Sequence, residues 1–134
     1  MKKIILLLLT TFLLTACINN EDTLKANVLD FEDSGFKNNK GQIIVLVEEG
    51  IMVSGTLRLD EKTKKSSIDN VLIKENTKAD KYLNKVYKEG KIETKGSKYY
   101  VTLDDTISLE FEKIGKRIIK DLQGVEYFTQ ENPK

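Results

Sequence analysis

A single cysteine, Cys17, and the absence of histidine limit the chemistry open to this chain. Without histidine, neither a Ser-His-Asp nor a Cys-His nucleophile can be assembled, and the commonest general base and zinc ligand are missing. One cysteine cannot close an internal disulfide or build a cysteine metal cluster. Ser66 and Ser67 stand beside Lys64 and Lys65, and Ser97 stands beside Lys98. A Ser-Lys nucleophile wants a helical Ser-x-x-Lys; these pairs read instead as solvated loop and turn. Two carboxylate pairs remain, Asp104 with Asp105 and Glu110 with Glu112. Glycoside chemistry needs two carboxyls ~5–9.5 Å apart across a cleft. Neighbours at i and i+2 on a strand fall in that range, but the polar side of an alternating strand is ordinarily its wet side. No Asp-x-Asx-x-Asx-Gly calcium loop and no phosphate-cradling glycine loop is present. These residues read as a protein that is not an enzyme.

Lys78, Lys81, Lys85 and Lys88 recur at helical spacing, opposite a stripe of Ala79, Tyr82, Leu83 and Val86. They have two readings. One is a basic strip against an anionic surface, either membrane headgroups or wall teichoic polymers. The other is the solvated back of an amphipathic helix. Tyr82, Tyr87, Tyr99, Tyr100 and Tyr127 could join an aromatic binding surface or pack in the core with their hydroxyls at the rim.

The position of the cysteine is more telling than its number. Lys2 and Lys3 begin the chain, and Ile4 to Leu14 is apolar except for Thr10 and Thr11. Small residues then precede Cys17. A charged start, a short apolar core and a small-residue cleavage site make a secretory signal peptide over residues 1–16. The apolar stretch falls short of the ~20 residues that span a bilayer. Leu14-Thr15-Ala16-Cys17 resembles the lipobox of bacterial lipoproteins. The resemblance implies cleavage between Ala16 and Cys17 and a diacylglycerol on the cysteine sulfur. It also implies a body held at the extracytoplasmic face of the cell membrane. No other cofactor is expected. Ile18 follows the cysteine, and by resemblance to enterobacterial sorting rules nothing there retains the protein at an inner membrane. Twenty lysines against two arginines fit a low-GC Gram-positive source.

Cleavage leaves 118 residues, enough for one modest core without a disulfide. Basic and acidic residues balance, 22 against 21 in the whole chain, so no global field for nucleic acid arises. Residues 17–40 read as the lipidated cysteine followed by a tether or first element. Leu24, Val28, Leu29 and Phe31 fit a short helix or a strand equally well. Asn38 to Gly41 reads as loop. Residues 41–130 read as one β-rich domain. Ile43 to Val47 and the alternating run after Gly50 predict a hairpin, and 68–74 predicts a third strand. Residues 77–89 predict the amphipathic helix, with Thr77 and Asp80 at capping-pair spacing and Gly90 beyond its end. Period two then returns, with turns at Lys95-Gly96-Ser97, Asp104-Asp105 and Gln123-Gly124. Residues 117–122 fit helix or strand, and the turn that follows favours strand. Residues 131–134 form a polar tail.

The expectation is an α+β domain with an antiparallel sheet of about six strands, either an open small β-barrel or an α+β sandwich layer, and one helix near 77–89. The function expected is a membrane-anchored binding or interaction module of the cell envelope. An accessory subunit of an envelope complex, or a carboxylate-dependent envelope enzyme, is the alternative.

Overall fold

The computed structural model describes residues 24–57, 62 and 64–129. The signal segment, the Ala16-Cys17 junction and the 131–134 tail lie outside the described residues. Among those residues nine strands form one sheet. They are β1 (Phe36–Asn38), β2 (Ile43–Val47), β3 (Gly50–Thr56), β4 (Tyr82–Tyr87) and β5 (Lys91–Lys95), followed by β6 (Lys98–Asp104), β7 (Ile107–Gly115), β8 (Ile118–Asp121) and β9 (Glu126–Phe128). Helix α1 (Ser67–Lys74) lies between β3 and β4, and a 3₁₀ turn (Val28–Phe31) precedes β1.

Every neighbouring pair is antiparallel, in the order β4-β3-β2-β1-β9-β8-β7-β6-β5. The two edge strands, β4 and β5, are consecutive in sequence, and Gly90 N donates to Tyr87 O at 3.0 Å in the turn that joins them. Eight inter-strand steps of ~4.8 Å would hold the edges of a flat sheet ~38 Å apart. Four Cα steps, from Tyr87 to Lys91, reach at most ~15 Å. The sheet therefore curls into a half-barrel whose open seam lies between β4 and β5.

Each mouth of the half-barrel is plugged. At one, Phe31 of the 3₁₀ turn meets Phe36, Tyr99 and Phe111 with ring centroids 4.9, 5.1 and 6.0 Å away. At the other, α1 buries Ile68, Val71 and Leu72, the i, i+3, i+4 face of a short amphipathic helix. Between the plugs, Ile44, Ile51, Val53, Val101, Leu109 and Ile119 fill the interior.

The antiparallel sheet, the β2–β3 hairpin and the turns at 96–97, 105–106 and 122–124 are as expected, and 118–121 is strand. The strand count is nine rather than about six; β1 lies in a stretch read as tether and loop, and β4 in a stretch read as helix. The expected helix at 77–89 is not one. Leu83, Lys85 and Tyr87 point to the same side as their partners Gly55, Val53 and Ile51 on β3, so period two governs. Leu83 and Tyr87 share a face under either period, which is why the spacing misled. Tyr82 takes the outer face, 66% exposed. The helix lies instead at 67–74, where a third strand was expected. Ser66 and Asp69 form the capping box that Thr77 and Asp80 do not.

Candidate functional site

The densest polar chemistry sits where α1 enters the half-barrel. Asp69 is fully buried, and its carboxylate accepts from Lys40 Nζ, from Ser66 N at 2.9 Å and from Gln42 Nε2 at 2.7 Å. Gln42 extends from the start of β2, also fully buried. Its Nε2 also donates to Thr56 O at 3.2 Å, and its Oε1 accepts from Asn38 Nδ2 at 2.9 Å and Ser66 Oγ at 2.6 Å. Both amide hydrogens and the carbonyl oxygen of Gln42 are thus engaged. Glycine at position 55 makes room for it. Gly55 has φ +151°, and a Cβ there would lie 2.7 Å from Gln42 Cγ.

A second buried carboxylate adjoins the first. Asp121 ends β8, and its Oδ2 accepts from Ser67 N at 2.8 Å and Tyr127 OH at 2.9 Å. Its Oδ1 accepts from Gln123 N and Val125 N, both at 2.9 Å, which closes the β8–β9 turn. Asp69 and Asp121 therefore hold N–H groups at the first turn of α1, where a helix favours negative charge. Burial pushes the Asp69 carboxyl up, but Lys40, the Ser66 N–H and Gln42 outweigh it and hold it below the usual value. Burial first, and then Asp121, raise the Tyr127 phenol far above its ordinary range. Among the described residues no buried side-chain nitrogen or oxygen lacks a partner.

Beside this cluster opens a cleft of about 310 Å³, lined by Asn39, Lys40, Lys64, Gly124, Val125 and Glu126. It offers Lys64, one carboxylate and a small apolar wall beside the ion-paired Lys40.

No protein-family model matches the chain, and no curated protein and no solved structure matches it.

The four lysines of the expected strip do not share a helix face. Lys78 and Lys81 lie in the exposed segment before β4, and Lys88 lies in the turn after it. Lys85 is in β4 and faces inward. Its Nζ pairs with Glu75 Oε2 at 2.9 Å and stands 4.8 Å from the centre of the Tyr87 ring. Tyr87 OH donates to the other Glu75 oxygen at 3.0 Å. These contacts tie the end of α1 to edge strand β4 beside the seam. Burial, and then Glu75, raise the Tyr87 phenol.

Ser66 and Ser67, read above as loop, are the helix cap and first turn. Ser66 Oγ accepts from Asp69 N at 3.0 Å and donates to Gln42, so it is committed to the cap. Asp104 Oδ1 accepts from Thr106 and Ile107 within its own turn. Glu110 and Glu112 take the outer face of β7, opposite Tyr100 and Lys98 of β6. Among the described residues no group of three or more histidine, cysteine or acidic side chains could hold a metal, and no helix is long and apolar enough to cross a membrane.

The Asn38-Gln42-Ser66-Asp69 network escaped the reading of the sequence. Its one local signal is Ser66-x-x-Asp69 followed by the apolar 71–73, overshadowed by the equal spacing of Thr77 and Asp80. Asn38 closes a local turn onto Gln42, its Oδ1 accepting from Lys40 N and Gln42 N, but the contact of Gln42 with Ser66 and Asp69, and that of Asp121 with Ser67, are long-range and have no local signature.

Proposed function

We propose that the chain is a lipid-anchored extracytoplasmic protein whose half-barrel serves as a non-catalytic binding module at the cell envelope. One observation carries the reading: Leu14-Thr15-Ala16-Cys17 directly after a charged and then apolar leader. A diacylglycerol brings two acyl chains at ~0.8 kcal/mol per buried methylene, and two chains anchor stably where one holds marginally. The non-catalytic part is supported by the engagement of the buried carboxylates. Asp69 and Asp121 accept hydrogen bonds on both oxygens from the fold itself, which leaves neither set to exchange a proton with a substrate.

The strands run between two mouths about 26 Å apart along β7. Leu24 enters at the 3₁₀ mouth, where Ala26 N donates to Gly96 O at 2.8 Å in the β5–β6 turn. The α1 mouth and its Lys40-Lys64 cleft lie at the other end, the end a tethered domain presents outward. A partner from the envelope meets the protein there.

The test is Cys17→Ala in the native host, read by fractionation and by the mass of the amino-terminal peptide. The expected outcome is loss from the membrane fraction together with loss of the diacylglycerol mass. A processed, membrane-bound Cys17→Ala protein overturns the reading.

A further inference from the structure

The mouth where the chain enters carries exposed apolar side chains next to cations. Leu29, at the tip of the 3₁₀ turn, is 61% exposed and lines a shallow hollow with Lys116 and Arg117 of the β7–β8 turn. Thr129 N donates to Arg117 O at 3.1 Å, which brings the end of β9 to the same rim. There Phe128 is 38% exposed, opposite Lys37 of β1 and Ile118 of β8. Ile114 is exposed near the end of β7, and Lys113 Nζ donates to Lys25 O at 3.3 Å, which places Lys25 on the same rim. Two carboxylates line the hollow. Asp30 is engaged by Tyr99 OH at 2.5 Å and by Lys113 Nζ at 3.1 Å; Glu32 is exposed.

We propose that this rim is a second, non-covalent contact with the membrane, in which Leu29, Ile114 and Phe128 enter the headgroup layer while Lys25, Lys37 and Lys116 meet anionic phospholipid. The inference rests on the reading that Cys17 is lipidated. Two observations choose lipid as the occupant. The first is reach: seven Cα steps separate Cys17 from Leu24, at most ~25 Å even when fully extended. An anchored domain is therefore held within contact distance of the bilayer, and by this mouth. The second is composition, since exposed apolar groups interleaved with lysines are what an interfacial surface uses against anionic lipid. The contact fixes orientation. With this rim on the leaflet, the α1 mouth and the Lys40-Lys64 cleft face away from it.

The test uses the lipidated protein purified from membranes and added to preformed vesicles. A lipidated Cys17 is a thioether, so an engineered cysteine is the sole free thiol. Leu29→Cys reports the rim, and Leu122→Cys, whose parent side chain is 71% exposed at the other mouth, is the control. Maleimide labelling of Leu29→Cys is expected to slow at least about ten-fold on phosphatidylglycerol-containing vesicles relative to phosphatidylcholine alone, with Leu122→Cys unchanged. Adding Lys25→Gln, Lys37→Gln and Lys116→Gln is expected to remove most of that protection, since each cation near an anionic surface contributes roughly a five-fold factor. Equal labelling of Leu29→Cys on both vesicles, or protection of Leu122→Cys instead, overturns the orientation while leaving the anchor intact. An amino-terminal peptide without diacylglycerol mass overturns the anchor, and this inference with it.

Discussion

Replacing Asp69 with Asn tests whether the buried polar network holds the helix on the half-barrel. The Asp69 side chain is 0% exposed and that of its partner Lys40 is 9% exposed. All of its partners are donors, namely the Lys40 ammonium, the Ser66 N–H and the Gln42 amide. An amide at position 69 must turn its NH₂ toward one of them, and it takes the carboxylate away from the Lys40 ammonium. Breaking a buried ion pair by removing one partner costs ~3–5 kcal/mol, a large share of the ~5–15 kcal/mol that holds a domain together. At ~4 °C per kcal/mol for a domain of this size, the melting temperature is expected to fall by ~12–20 °C. Urea unfolding followed by circular dichroism measures the loss directly. Lys40→Met, Asp69→Leu and the two together form a separate double-mutant cycle. The double variant should stay below the parent, because Ser66 N loses its acceptor, yet it should be more stable than the two single losses added together. A loss under ~1 kcal/mol, or a coupling energy under ~0.5 kcal/mol, refutes the reasoning. The pH dependence has a definite sign. The Asp69 pKa is lowered in the folded state, so its contribution is fully present above the unfolded value near 3.8 and is lost as pH falls through the folded value. Acid unfolding of the parent should therefore carry a component below pH ~4 that Asp69→Asn lacks.

Tyr127→Phe removes one of four donors to the Asp121 carboxylate and is expected to cost ~1.5–3 kcal/mol by urea unfolding, with native circular dichroism retained. Gly55→Ala puts a methyl against Gln42 at a φ of +151°, and a loss of ~1–3 kcal/mol is expected; an unchanged urea midpoint would show that Gln42 can move aside. Tyr87, Tyr99 and Tyr127 all have raised phenol pKa values, with burial the leading cause in each. Their contribution is present below the unfolded value of 10 and is lost as pH rises through the folded values, so stability should decline above pH ~10. Tyrosinate absorbance from these three should appear together with unfolding, and its appearance in the folded protein would contradict their burial.

The hairpins were legible locally because each carries its own turn chemistry and a clean alternation. Ile107, Leu109 and Phe111 alternate with polar residues, and the Gly96-Ser97 turn delimits β5 from β6. The leader proposed over residues 1–17 also rests on local order alone, a charged start, an apolar run and small residues in succession, and it lies outside the described residues. Residues 77–89 were expected as helix because Ala79, Tyr82, Leu83, Val86 and Tyr87 fall on one helical face, although 82 with 86 and 83 with 87 also share strand faces. The backbone of β3 decided the matter, since a strand there pairs the β3 ladder from Ile51 to Thr56, which a helix leaves bare. Helix 67–74 was settled in the same way. Its Ser-x-x-Asp box competes evenly with the one at 77–80 until Ile68, Val71 and Leu72 find the mouth of the half-barrel to fill. The site was the least legible part, because Asn38, Gln42, Asp69 and Asp121 are unremarkable polar residues along the chain. Curling the sheet brings them to one mouth, where low dielectric makes each need the others. Local order in the chain thus specifies turns and alternation. The long-range pairing of β1 with β9, and the curl that follows, specify which polar residues are buried, and therefore which of them hold the fold and which stay in solvent.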